Sequence, residues 1–342
     1  MKRSRKTGEH ELIRELGRLV QTKKKTRGVV VGVGDDAAVV RPRANEDMLL
    51  TTDVQIEGRH FRREWFTGAE LGWRLAAVNL SDIAAMGGKP LYALLSLGIP
   101  DDIDSDYIKD IERGARDHLS RYGASIIGGN LSGIDNTLVC DFTLVGSVPT
   151  GKAWQRRARP DRDAIIVAGS LGEARAGLHL MGIDDPEPPF RRLVQAYKRP
   201  RPLLDVSDML RREKGIRGMI DISDGFSSDL IHICMASNAG CQVDLRRVPL
   251  SKTLQEFCIQ HGKVALQLAL NGGEDYALIA CVDSKRADDV VARIREKTGV
   301  PAARVGHFTG KKGVYTLVGD RGRKTPIKAR GWDHLSGRRQ NG

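Results

Sequence analysis

Five short acidic motifs interrupt this chain at the ends or breaks of apolar runs: Gly34-Asp35-Asp36, Thr51-Thr52-Asp53, Asn79-Leu80-Ser81-Asp82, Asp221-Ile222-Ser223-Asp224-Gly225 and Gly272-Gly273-Glu274-Asp275. They divide the chain into apolar stretches long enough for strands and helix faces, and none approaches the roughly 18 residues of a membrane helix. Each motif mixes carboxylates with Gly, Ser or Thr, the residues of turns and helix caps. Carboxylates gathered in one place repel each other unless a positive charge lies between them. The net charge of +12 offers Lys and Arg for that role. Hard oxygen ligands at strand ends suit Mg²⁺ better, and Mg²⁺ takes a few carboxylates, waters and substrate phosphates. The pattern points to a site that holds nucleotide phosphates through several metal ions.

At 342 residues, two domains are expected, each able to bury a core. The basic start, Met1-Lys2-Arg3-Ser4-Arg5-Lys6, has no apolar segment after it, so a signal peptide is not expected and a cytoplasmic protein is. The five cysteines, Cys140, Cys234, Cys241, Cys258 and Cys281, form no C-x-x-C pair. They read as small buried hydrophobes rather than zinc ligands or a disulfide framework. Basic clusters at Lys23-Lys24-Lys25, Arg156-Arg157-Arg159 and Arg338-Arg339 are scattered and lack interleaved aromatics. They read as solvated surface, with no nucleic-acid partner expected; Arg156 is the exception.

The first half alternates strand and helix patterns. Thr67 and Glu70 predict a capping box opening a helix with Leu71, Leu75, Val78 and Ile83 on one face, ended by Gly87-Gly88 and Pro90. Tyr92 to Ile99 predicts a strand, Ser105 onward a second helix, and Thr137 to Val148 a long strand. A basic polar stretch from Pro149 to Pro160 marks the expected boundary between domains at 1–150 and 151–342. Beyond it, Ser170 and Glu173 predict another capping box, Met219 to Ile222 a strand, Asp224 a helix start, and Tyr276 to Val282 a further strand.

Familiar phosphate-binding motifs are absent or fail in context. Gly32-Val33-Gly34-Asp35-Asp36-Ala37 fits G-x-G-x-x-A, but a strand pattern and Pro42 follow where a dinucleotide fingerprint needs a helix. No Gly-Lys pair precedes Ser or Thr as a P-loop requires. Each acidic motif alone is also an ordinary cap or turn; what carries weight is five of them together, three with a neighbouring hydroxyl (Thr52-Asp53, Ser81-Asp82, Ser223-Asp224).

Taken in order, these motifs with Glu57-Gly58-Arg59-His60-Phe61 and Gly331-Trp332-Asp333-His334 resemble the thiamine-monophosphate kinase family, a branch of the aminoimidazole ribonucleotide synthetase superfamily. The resemblance spans nearly the whole chain, and the Asn-Leu-Ser-Asp and Gly-Gly-Glu-Asp segments are its specific parts. It implies an α/β (α+β) two-domain fold, with N-terminal domains pairing into a dimeric β-barrel and a C-terminal α/β domain completing an active-site cleft. It implies ATP and thiamine monophosphate as substrates, Mg²⁺ as cofactor and a homodimer. By position, Asp35, Thr52, Asp53, Asp82, Asn130, Asp221 and Asp224 match metal ligands; Gly129, Asn130, Arg156 and Ser223 match ATP contacts; His60, Glu274 and Trp332 match contacts to thiamine phosphate. No catalytic side chain is implied beyond these, since the transfer is direct. One departure stands out: the family has Gly-Gly-Asp where this chain has Gly128-Gly129-Asn130, which removes one negative charge. Two alternatives remain open at this point: a sister ATP-dependent enzyme of the superfamily with another acceptor, and a non-catalytic nucleotide-binding protein.

Overall fold

The computed structural model describes residues 15, 16, 18, 28–31 and 38–328, apart from 184. Asp35, Trp332 and the basic N-terminal run lie outside the described residues. Contacts divide the chain into two compact units, Met1–Ile83 with Gly88–Ala153, and Ala84–Gly87 with Trp154–Gly342.

The first unit holds a small antiparallel pair, β1 (Val29–Val31) and β2 (Val39–Val40), and a four-stranded sheet. The sheet is built from β3 (Glu46–Ile56), β4 (Lys89–Ile99), β5 (Ser125–Gly133) and β6 (Val139–Pro149) in the order β3-β6-β4-β5. Only β4 and β5 run parallel, joined through helix α2 (Ser105–Ser120); the other pairs are antiparallel. Helix α1 (Gly68–Ala85) begins as the sequence predicts. The amide of Glu70 donates to Thr67 Oγ1, and the Thr67 amide donates back to Glu70 Oε2 at 3.0 Å. Leu71, Leu75 and Ile83 on its apolar face are all buried.

Strand alternation gives this sheet two unlike faces. Leu49, Phe142, Leu144, Leu95 and Leu97 are buried on one side. On the other, Leu50, Val54 and Leu94 are 73%, 45% and 38% exposed, three large apolar side chains on one open face.

The second unit is built on a seven-stranded sheet of β7 (Asp163–Ala168), β8 (Ile216–Ile222), β9 (Gly240–Asp244), β10 (Ala277–Asp283), β11 (Ala302–Thr309), β12 (Tyr315–Val318) and β13 (Lys324–Pro326). Its order is β13-β12-β9-β11-β7-β10-β8, and only β12 and β9 pair in parallel. The strand-helix alternation of the sequence therefore produces a largely antiparallel sheet, and α+β describes the unit better than α/β. Both faces are covered. Ile165, Val167, Ile220 and Ile279 pack with Phe226, Leu230 and Ile233 of one helix. Ala164, Ile166, Met219 and Ala280 pack with Val206, Leu210, Val290 and Ile294 of two others. That double burial explains why β7 is apolar at five of six positions rather than alternating. All five cysteines are buried and free.

The expected Ser170–Glu173 capping box is not what starts the helix α3 (Glu173–His179). Its N-cap is Gly172, and no side chain of its own segment caps it. Asp275 does so from the loop leading into the neighbouring strand β10, accepting from the Gly172 amide at 2.7 Å and the Ala174 amide at 3.3 Å. The next helices are α4 (Arg191–Lys198), α5 (Leu204–Leu210) and α6 (Phe226–Ala236), followed by α7 (Lys252–Gln260), α8 (Ala265–Asn271) and α9 (Ala287–Thr298). No described helix is long and apolar enough to cross a membrane.

Candidate active site

The described candidate residues fall in both units, and each unit brings some of them together. In the first, Asp53 points from β3 toward Asp82, which lies near the end of α1. Burial, and then the charge and hydrogen-bonding contact of Asp82, push the Asp53 carboxyl up to about 7. Asp141 adds a smaller repulsion. The physical meaning is direct: two carboxyl groups can share a hydrogen bond only while one keeps its proton. Asp53 Oδ2 is buried and has no hydrogen-bond partner. Asp82 also accepts the Thr51 hydroxyl at 2.5 Å. A buried, unsatisfied carboxylate oxygen, a second carboxylate in contact and a hydroxyl beside them make a hard-oxygen donor set of the kind a Mg²⁺ ion takes.

The two threonines before Asp53 have separate fates, because a strand turns successive side chains to opposite faces. Thr51 shares the Asp53 face. Thr52 faces the other way, donating to Asp141 Oδ1 at 2.9 Å and lying 2.9 Å from the Thr143 hydroxyl. Asp53, Phe142, Leu95 and Gly129 form one row across the sheet, and Val54, Asp141, Ser96 and Asn130 form the next. Gly129 thus shares the row of Asp53, whereas exposed Asn130 belongs to the row of Asp141 on the opposite face. Gly129 also has a structural reason to be glycine: a Cβ there would lie 1.9 Å from the Leu95 carbonyl oxygen.

His60 lies in the turn after β3. Its Nδ1 accepts from the Ile56 amide at 3.0 Å. A neutral His60 therefore carries its proton on Nε2, as a donor suited to an anion.

In the second unit, β8 ends at Ile222 and the chain turns through Ser223, Asp224 and Gly225 into α6. Asp221, on the last turn of the strand pattern, is 5% exposed. The Gly272–Tyr276 loop lies against this turn: the Glu274 amide donates to the Ser223 carbonyl at 2.7 Å, and the Tyr276 amide to the Ile222 carbonyl at 2.9 Å. Glu274 and Tyr276 hold φ of 66° and 47°, left-handed values that non-glycine residues rarely adopt. Asp224, Ser223 and Glu274 are thereby brought into one loop cluster, with Asp221 at the end of the strand beneath it.

Two residues that sequence reasoning passed over join this cluster. Asp229 and His232, one turn apart on α6, each place a ligand-type atom within 4.8 Å of one on Asp224. Burial and the nearby Asp224 push the Asp229 carboxyl up to about 7, opposed by amide bonds from Gly225 and Asp224 and by the charge of Arg156. Arg156 is exposed, and that last effect places its guanidinium within electrostatic reach of the cluster. The signal present in the sequence was an acid and an imidazole three residues apart on a helix, a spacing too common to single them out.

The family model described as "AIR synthase related protein, N-terminal domain" matches residues 34–148, and "AIR synthase related protein, C-terminal domain" matches residues 162–319. The thiamine-monophosphate kinase of Rhodopirellula baltica (strain DSM 10527 / NCIMB 13988 / SH1) is 33% identical over 301 residues, covering 85% of this chain and 87% of the relative. This chain belongs to the thiamine-monophosphate kinase family. Solved structures of that family share its fold. The crystal structure of thiamine-monophosphate kinase from Stenotrophomonas maltophilia K279a superposes with a TM-score of 0.79 at 30% identity, covering 90% of this chain and 95% of that one. AaThiL complexed with AMPPCP and TMP superposes with a TM-score of 0.76 at 28% identity, covering 96% of this chain and 97% of that one.

Proposed function

We propose that this protein transfers the γ-phosphoryl group of ATP to thiamine monophosphate, giving thiamine diphosphate and ADP. The observation that carries the reading is the facing pair Asp53 and Asp82, with its unsatisfied buried oxygen, in a chain whose family relatives are thiamine-monophosphate kinases over most of their length. The solved complex of a relative with an ATP analogue and TMP supports the same pair of substrates.

An oxygen of the acceptor phosphate forms the new bond to the γ-phosphorus, and the bond from the γ-phosphorus to the β,γ-bridging oxygen breaks, releasing ADP. The acceptor's second phosphate pKa is about 6, so it is mostly deprotonated at neutral pH. No side chain has to remove a proton, and the protein supplies positioning and charge neutralisation. Mg²⁺, when bound, neutralises the phosphate charges that repel each other during the transfer. Asp53 and Asp82 are the residues of the first unit best placed to hold it, and the family pattern also assigns Asp35, Asp221 and Asp224 to metal. Thr52 and Asn130 belong to that pattern too, but their side chains face away from Asp53 and contribute less to the same ion. Gly129, Asn130, Arg156 and Ser223 are assigned to ATP, with the Arg156 guanidinium offering a positive contact for a phosphate. His60 offers its Nε2–H to the acceptor phosphate. Glu274 and Trp332 are assigned to the thiazolium, as countercharge and aromatic face.

The N-terminal domain, 1–150, is assigned ATP and Mg²⁺ binding together with dimerisation, and the C-terminal domain, 151–342, the remaining ligands. A homodimer in which two copies of the four-stranded sheet close a shared β-barrel is supported by the open face that carries Leu50, Val54 and Leu94. A cytoplasmic location suits both substrates.

The test is product analysis with ATP, MgCl₂ and thiamine monophosphate, run beside free thiamine and an Asp82→Asn variant. The expected result is thiamine diphosphate from the monophosphate alone, lost in Asp82→Asn. Nucleotide binding with no thiamine diphosphate would refute the reading.

A further inference from the structure

We infer that Asp229 is a positioning residue: it fixes the Ser223-Asp224-Gly225 turn and, through that turn, aims both the Asp224 carboxylate and the Glu274 loop. The inference rests on the proposed roles of Asp224 and Glu274.

Asp229 lies in the first turns of α6 and is 2% exposed. Its Oδ2 accepts from the Asp224 amide at 3.2 Å and the Gly225 amide at 3.1 Å. An acid in a first turn commonly reaches back to the N-cap amide, as in a capping box. Here the N-cap is Gly225, and the same oxygen also takes the amide before it, outside the helix. That second bond does nothing for the helix ladder. It pins the backbone of Asp224 itself.

The turn is the anchor for the loop opposite. The carbonyl oxygens of Ser223 and Ile222 accept the amides of Glu274 and Tyr276. Both residues hold left-handed backbones, each at a cost on the order of 1 kcal/mol, which persists only where surrounding bonds impose it. Gly273 brings the two backbones into contact, since a Cβ there would lie 2.7 Å from the Ser223 oxygen and 3.1 Å from the Asp224 oxygen. A shift of the turn therefore carries Glu274 with it. One buried carboxylate, bonded to the backbone amides of the turn, controls the geometry of two groups assigned to metal and substrate.

The experiment compares Asp229→Ala and Asp229→Asn in the full-length protein. Mn²⁺ binding is measured calorimetrically without nucleotide, beside melting temperature, the Mg²⁺ concentration for half activity, and KM and kcat for thiamine monophosphate. Loss of a residue that orients a ligand typically weakens metal binding 10–100-fold. Asp229→Ala should raise the Mn²⁺ Kd and the Mg²⁺ requirement by roughly tenfold or more. It should also raise KM for thiamine monophosphate by a larger factor than it lowers kcat at saturation. Asp229→Asn, whose amide oxygen still accepts both backbone amides, should return these values to near wild type. A lowered melting temperature with unchanged metal and substrate dependence would reduce Asp229 to a helix cap and overturn the inference, as would an Asn variant as impaired as Ala. If Asp229→Ala does not fold, Asp229→Glu displaces the acceptor by one methylene; a raised Mn²⁺ Kd supports the inference and an unchanged one overturns it. Wild-type protein that binds Mn²⁺ but forms no thiamine diphosphate would refute the kinase reading, while the Mn²⁺ comparison would still judge Asp229.

Discussion

Replacing Asp53 by Asn should make the metal-free protein more stable while disabling it. The Asp53 carboxyl is raised from 3.8 to about 7 by burial and by Asp82. Well below pH 3.8 the group is protonated in both the folded and unfolded chain, and it costs nothing. As pH rises toward 7 the unfolded chain ionises first, so the folded state loses stability; above 7 the loss is complete. A carboxyl moved from 3.8 to about 7 corresponds to at most about 4 kcal/mol. Partial solvent access reduces this, and about 2 kcal/mol is the working expectation. An amide at position 53 removes the repulsion and can donate to Asp82. In EDTA at pH 8, Asp53→Asn should therefore melt about 4–8 °C higher than wild type, for a cooperative unit of roughly 150–250 residues. Near pH 3, below both values, the two proteins should melt together. Added Mg²⁺ should reverse the order, because wild type gains roughly 2.7 kcal/mol at one hundred times its Kd and the variant does not. Calorimetric melts at both pH values, with and without Mg²⁺, measure all of this. An Asp53→Asn variant that is less stable than wild type in EDTA at pH 8 would refute the claim that these carboxylates repel each other.

Two further predictions follow from residues with less coupled roles. Asn130→Asp restores the family's carboxylate and should lower the Mg²⁺ concentration needed for half activity; an unchanged or raised requirement in a Mg²⁺ titration would leave Asn130 outside the metal set. Asp275→Ala removes the acceptor for the Gly172 and Ala174 amides and should cost about 2 kcal/mol in urea unfolding; a cost below about 0.5 kcal/mol would mean that α3 starts without that cap.

The two helix starts show where sequence reasoning reaches and where it stops. Thr67 and Glu70 lie three residues apart and make their bonds to each other, so the pattern contains its own partners. At Ser170 and Glu173 the same spacing is present, yet the cap comes from Asp275, about a hundred residues onward, and no local pattern can contain that. The antiparallel pairing of the second sheet was hidden for the same reason: β7 finds its neighbours in β10 and β11. Within the site, acidic residues at turns were readable as a group because like charges need a common explanation. Which of two adjacent threonines faces Asp82 depends on strand phase, and β3 begins at Glu46, before the Met48 where its apolar run starts. The positioning role of Asp229 could not be read from its spacing to His232, because its partners are backbone amides, which every residue has.

The central place of β7 also bears on how the chain is made. The four-stranded sheet of the first unit is complete once residue 149 has been synthesised. β7 comes next off the ribosome, but its partners begin only at Ala277 and Ala302. For more than a hundred residues of synthesis, several seconds at roughly 5–20 residues per second, an almost wholly apolar strand waits without either neighbour. The first unit can fold during translation, whereas the second must close nearly all at once near its end. Newly made chains interrupted between residues 170 and 277 should be the ones that aggregate and that chaperones hold.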